Sequence, residues 1–111
     1  MFELTGKNAL ITGASGGIGG AIATALHAAG ATVTLSGTRE APLNELAAQL
    51  GDRVYVQACN LSDKEAVDAL PKQAAELMGS VDILVNNAGI TKDNLFMRMS
   101  DAEWYDVINV N

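Results

Sequence analysis

Cysteine is almost absent: Cys59 stands alone in 111 residues, so no internal disulfide can close and no group of thiolates can hold zinc. Such usage reads as cytosolic, with the one thiol expected to be buried for structural reasons. Basic residues are scarce as well. Seven Lys and Arg stand against thirteen Asp and Glu, a net charge of -6, which excludes nonspecific attraction to nucleic acid because phosphate backbones need a surplus of cations to displace their counterions. Long apolar runs are missing too. None approaches a membrane span, and Met1 to Lys7 shows no basic stretch followed by an apolar one, so neither export nor membrane insertion is expected. The only histidine, His27, has no second ligand or nucleophile near it in the pattern and is expected on a helix surface, with no metal site implied.

What is present is ordinary globular composition, 49% hydrophobic and 18% charged, enough for one core in one domain. Short apolar runs alternate with segments of helical spacing, the order of a β-α-β-α chain. Asn8 to Thr12 meets a glycine cluster and reads as a buried parallel strand. Ile18, Ile22, Ala25, Leu26 and Ala29 follow at helical spacing until Gly30. Thr32 to Ser36 forms a second strand, and Leu43, Leu46, Ala47 and Leu50 mark a helix with Pro42 near its start and Gly51 past its end.

Arg53 to Cys59 reads as a third strand. Ser62-Asp63-Lys64-Glu65 matches a capping box, with Ser62 as the cap, before a helix carrying Val67, Leu70, Ala74 and Leu77. Pro71 falls inside that helix, where it removes a hydrogen bond and predicts a bend. Val81 to Asn86 is a fourth strand, and Ser100-Asp101-Ala102-Glu103 is a second capping box opening a helix through Trp104, Val107 and Ile108. The sequence ends at Asn111 inside that expected helix, without a glycine stop or linker, and so reads as a truncated chain. The acidic pairs Asp63 with Glu65 and Asp101 with Glu103 fall in first helical turns, where the helix dipole accounts for them better than acid/base chemistry.

Chemistry concentrates at the first strand-to-helix turn, Thr12-Gly13-Ala14-Ser15-Gly16-Gly17-Ile18-Gly19. Glycines stand where a backbone must turn, approach a ligand and let helix pack on strand, and the helix N-terminus offers free N–H groups to a pyrophosphate. The spacing of Gly13, Gly17 and Gly19, together with Asn86-Asn87-Ala88-Gly89 about seventy residues on, resembles the short-chain dehydrogenase/reductase family. That resemblance implies a Rossmann-type doubly wound α/β fold, here four parallel strands in the order 3-2-1-4. Residues 1–111 would be the NAD(P)-binding portion of a single domain.

The end of the second strand bears on the cofactor. An acid there would accept hydrogen bonds from the adenosine ribose and repel a 2′-phosphate, but the residues are Ser36-Gly37-Thr38-Arg39. Thr38 and Arg39 suit a phosphate dianion, which favours NADPH over NADH. Many NADPH-preferring relatives carry a basic residue where this chain has Gly16, which puts more of the recognition on Thr38 and Arg39. The resemblance also implies that Asn60-Leu61 meets the adenine, Asn60 through its carbonyl oxygen to the exocyclic amine, while the same side chain suits a turn. Gly13, Ser15, Gly16, Gly17, Ile18, Gly19, Asn87, Ala88 and Gly89 complete the expected cofactor site.

Asn86 to Met99, followed by Trp104, resembles the 3-oxoacyl-[acyl-carrier-protein] reductase branch, the alternative being that Leu95, Phe96, Met97 and Met99 merely pack a loop or helix start. That branch implies reduction of a 3-oxoacyl substrate carried on acyl-carrier protein, in fatty acid biosynthesis, by a cytoplasmic homotetramer. Asn111 aligns with the asparagine of the family's Asn-Ser-Tyr-Lys catalytic set, implied to hold a water behind the lysine. Neither Tyr55 nor Tyr105 has a lysine four residues on, so the 111 residues alone are expected to be inactive, and to be monomeric or poorly folded. A short-chain acetoacetyl-CoA reductase and a noncatalytic dinucleotide-binding module are the other readings. The negative charge of this part would not itself attract an acidic carrier, so a basic patch would have to come from elsewhere.

Overall fold

The computed structural model describes residues 3–60 and 62–87, together with the backbone of 106–109. The first strand, β1 (Asn8–Ile11), runs into helix α1 (Gly17–Ala28), which returns to β2 (Thr32–Leu35). Helix α2 (Glu40–Leu50), β3 (Val54–Val56), helix α3 (Lys64–Met78), β4 (Ile83–Asn86) and β5 (Asp106–Asn109) follow. All pairings are parallel and the strand order is β3-β2-β1-β4-β5. The four-strand order 3-2-1-4 expected from the sequence is therefore present, with β5 added beside β4.

Alternation along the strands explains the two apolar layers. Ala9 and Ile11 of β1 with Val33 and Leu35 of β2 pack beneath α1 and α2 around Ala23 and Leu43. Leu10 and Leu84 point the other way and pack with Leu70, Ala74 and Cys59 under α3. Because successive strand side chains take opposite faces, helices on both sides need apolar residues at consecutive positions, which is why the strands read as unbroken apolar runs. Register places Asn8 beside Thr32, Ile11 beside Leu35 and Val85, and Leu35 beside Val56.

Four local expectations are corrected. Ser62 does not cap α3: its hydroxyl donates to Asn60 Oδ1 at 2.7 Å, and the cap is Asp63, whose carboxylate accepts from the N–H groups of Glu65 and Ala66. A carboxylate suits that place because it also faces the positive end of the helix. The third strand is shorter than Arg53–Cys59, since Arg53 has φ 53°, a left-handed conformation that no strand accommodates. His27 is buried instead of exposed. Its Nε2 lies 2.7 Å from the carbonyl oxygen of Asp52, while Arg53 Nη1 donates to the carbonyl of Ala31 at 2.7 Å, fastening the α2–β3 connection onto the end of α1.

The fourth correction concerns Val107 and Ile108, which lie in β5 and not in a helix; the capping box before them lies outside the described residues. Two β-branched residues flanked by Asp106 and Asn109 are poor helix formers, and β4 offers a free edge for pairing. Pro71 sits buried inside α3, which continues past it as one element to Met78.

Candidate functional site

The site forms at the carboxyl edge of the sheet, where β1, β2, β3 and β4 deliver their following loops. At the end of β1, Thr12 acts as a hub. Its N–H donates to Val85 O at 3.0 Å, and its hydroxyl accepts from the N–H of Asn87 at 3.0 Å while lying 3.3 Å from both Val85 O and Asn86 Oδ1. Sequence reasoning had no role for this hydroxyl. Its signal is a polar residue, nearly fully buried, closing an otherwise apolar strand.

Gly13 turns the chain at φ 66°, which glycine adopts without a Cβ clash. Its carbonyl accepts from Gly16 N–H at 3.2 Å and from Asn87 Nδ2 at 3.4 Å. Gly19 lies against the same carbonyl, so closely that an added Cβ would strike Gly13 O and come within 2.7 Å of Asn87 Nδ2. Gly17 is the opposite case. A Cβ there would meet none of the described residues within 4 Å, so no contact with them asks for glycine at this exposed position. Gly16, the N-cap of α1, has no side chain to satisfy the helix N–H groups, and the first turn carries no acid. An uncapped, exposed helix start with room beside it fits an anion brought close to the backbone.

The second half of the site lies at the end of β2. Ala14 N–H donates to Ser36 O at 2.9 Å, drawing the glycine turn against this strand, and a Cβ on Gly37 would sit 3.0 Å from Ser15 Oγ. Ser15 thus links the glycine turn to Gly37 and to the exposed Thr38 and Arg39. Arg39 is the N-cap residue of α2, and its guanidinium makes no hydrogen bond or ion pair with the described residues. A cation at the positive end of a helix is unfavourable for the fold, and a bound anion would relieve it.

At the end of β3, Cys59 N–H donates to Gly37 O at 3.0 Å and brings Asn60 to the same edge. Asn60 is exposed, with Oδ1 accepting from Ser62 N–H at 3.1 Å and Ser62 Oγ at 2.7 Å. Those two donors give the side chain the turn role expected of it. Cys59 is buried as expected, and burial, followed by the negative charge of Asp63, raises its pKa. The structure therefore gathers Gly13, Ser15, Gly16, Gly17, Ile18, Gly19, Thr38, Arg39, Asn60 and Asn87 along one edge, with Ile18 exposed beside the open helix start. Leu61, Ala88, Gly89 and Asn111, and the loop Ile90 to Met99, lie outside the described residues. Among the described residues no group of three His, Cys, Asp or Glu could hold a metal, and no helix is long and apolar enough to cross a membrane.

Comparison with known proteins agrees with this geometry. Residues 7–111 match the family model for short chain dehydrogenase. Nodulation protein G of Rhizobium sp. (strain N33) is 62% identical over 111 residues, covering 100% of this chain and 45% of that protein. The 3-oxoacyl-[acyl-carrier-protein] reductase FabG of Rickettsia conorii is 50% identical over 100% of this chain and 44% of its own length. Among solved structures, the 3-ketoacyl-(acyl-carrier-protein) reductase from Brucella melitensis complexed with NADH is 37% identical with a TM-score of 0.74, covering 87% of this chain and 39% of that one. The chain thus spans less than half the length of the relatives it matches.

Proposed function

The chain belongs to the short chain dehydrogenase family, and on that premise we propose that the whole protein is an NADPH-dependent 3-oxoacyl-[acyl-carrier-protein] reductase. The observation that carries the cofactor half of this reading is the alignment of two anion sites along one sheet edge. The open start of α1 beside Gly17 receives the pyrophosphate, and Arg39, whose guanidinium has no hydrogen bond or ion pair among the described residues, receives the 2′-phosphate through forked, charge-assisted hydrogen bonds. Thr38 adds a hydroxyl at the same place.

Bound there, NADPH supplies the hydride, which adds to the 3-oxo carbon while a proton goes to its oxygen, giving a 3-hydroxyacyl thioester. This chain's described residues bind and orient the dinucleotide. Asn111 is assigned the water-holding role that the family resemblance implies. Support for the substrate comes from the Asn86 to Met99 segment and from relatives at about half identity that carry the reductase name. The carrier-bound thioester as partner and a cytoplasmic homotetramer as the working form belong to the same proposal.

The test is kinetic, on the whole protein: NADPH consumption with acetoacetyl-acyl-carrier protein, with acetoacetyl-CoA, and with NADH in place of NADPH. The reading expects the carrier-bound substrate and NADPH to be preferred, and Arg39→Ala to weaken NADPH by about tenfold while leaving NADH nearly unchanged. Equal use of both cofactors by the wild type, or a preference for the coenzyme A thioester, would reject it.

A further inference from the structure

We infer that α3 consists of two units joined at Pro71: its first half, Lys64 to Leu70, opens independently of the remainder, and dinucleotide bound at the sheet edge holds that half shut. The coupling to cofactor rests on the dinucleotide reading above; the division of the helix does not. Pro71 has no N–H, so the helical bond from residue 71 back to Val67 O cannot form. Burial changes at the same place. None of Lys64 to Ala69 is buried, and Ala66 and Val67 rest only partly on the apolar layer, whereas Leu70, Pro71, Ala74 and Ala75 are buried. The ion pair of Lys64 with Asp68 spans the first half at 4.0 Å with both side chains exposed, and such a pair adds little. Few buried contacts before a missing helix bond, and many after it, mark a segment whose local opening costs less than unfolding of the whole.

The other end of this first half is fastened to the edge that carries the cofactor site. The Asp63 carboxylate caps it through the N–H groups of Glu65 and Ala66, and Asp63 N–H donates to Asn60 O at 3.0 Å. Cys59 N–H in turn donates to Gly37 O at 3.0 Å, next to Thr38 and Arg39. A series of hydrogen bonds thus runs from the first turn of α3 to the end of β2. Opening breaks the cap and frees the end of β3, so a ligand seated across the ends of β1, β2 and β3 binds the closed form better. That difference in affinity is what allows a ligand to shift the equilibrium. Where only the closed form binds, ligand at about ten times its dissociation constant lowers the open population about elevenfold.

The experiment is amide hydrogen exchange of the whole protein, read residue by residue, without ligand and with NADPH at about ten times a dissociation constant titrated on the same sample. In the free protein Val67, Asp68, Ala69 and Leu70 should share one protection factor, about tenfold or more below that of Ala75 to Met78. Below the unfolding midpoint their exchange should depend on urea less steeply than that of Ala75 to Met78, because opening so short a segment exposes little surface. NADPH should slow them by about tenfold. Pro71→Ala supplies the missing N–H and should slow them by about tenfold in the free protein. Equal protection on the two sides of Pro71, a smooth gradient from Val67 to Met78 as in ordinary fraying, or unchanged rates in Pro71→Ala overturns the division of the helix. NADPH binding that leaves these amides unslowed overturns the coupling while the dinucleotide reading stands. No binding of NADPH in the titration overturns that reading and the coupling together.

Discussion

Asn87, at the end of β4, donates its side-chain N–H to the carbonyl oxygen of Gly13 at the end of β1, and Gly19 packs against both partners of that bond. Two loops about seventy residues apart in sequence are thereby locked to one helix turn, and the glycine signature and the asparagine signature form one structural unit.

Gly19→Ala should therefore be severe for the fold itself. The added methyl strikes the Gly13 carbonyl and Asn87 Nδ2, and the Gly13 carbonyl belongs to backbone that cannot rotate away. Equilibrium urea unfolding of the whole protein should show a loss of about 2 kcal/mol or more, in the range of overpacked interiors. An unchanged midpoint would mean that the helix start can shift outward at no cost.

Gly17→Ala should part stability from binding. Its Cβ enters open space, and alanine is the better helix former, so stability should hold or rise by up to ~1 kcal/mol. The same methyl occupies the place where a pyrophosphate approaches the backbone, and NADPH affinity should fall by about tenfold or more. Calorimetric titration beside a thermal melt reads both at once; an unaltered affinity would place the phosphates elsewhere.

These pairs also mark what the sequence makes legible. The strands and the glycine turn were readable because buried parallel strands are apolar on both faces and glycine is scarce where side chains are free to fit. Gly19 and Gly17 look alike in sequence, yet one is required by the fold and the other leaves room for a ligand, a distinction that only distances supply. Ser62 and Asp63 are both good caps, and the choice between them depends on Asn60, which engages the serine. His27 has ordinary helical surroundings in sequence; what buries it is the loop at Asp52 and Arg53, 25 residues away in the first case. Val107 and Ile108 followed a capping signal, but pairing with β4 decides their state.

Thr34 offers a further test of the interior. Its hydroxyl on β2, and that of Ser36 just past the strand, are buried with no hydrogen-bond partner among the described residues. An unpaired buried hydroxyl carries its full desolvation cost, roughly 1–3 kcal/mol, and valine fills nearly the same volume without it. Thr34→Val should leave the protein as stable or more stable by ~1 kcal/mol in urea unfolding. A clear loss of stability would reveal a partner for the hydroxyl in solution.

Cys59 gives the pH dependence. Burial, then the carboxylate of Asp63, raises the thiol pKa above its ordinary value, so the folded state holds the proton more tightly than the unfolded chain. For a group raised on folding, the stabilising contribution is complete below the unfolded pKa of about 8.5 and is lost as pH rises through the higher folded value. Two readouts follow for the whole protein. Iodoacetamide should modify native Cys59 slowly at neutral pH and quickly once urea exposes it. Stability measured from neutral pH into the alkaline range should decline more for the wild type than for Cys59→Ala, with the difference between them appearing only above the ordinary thiol range. Rapid alkylation of the native protein at neutral pH would contradict the burial from which the shift follows.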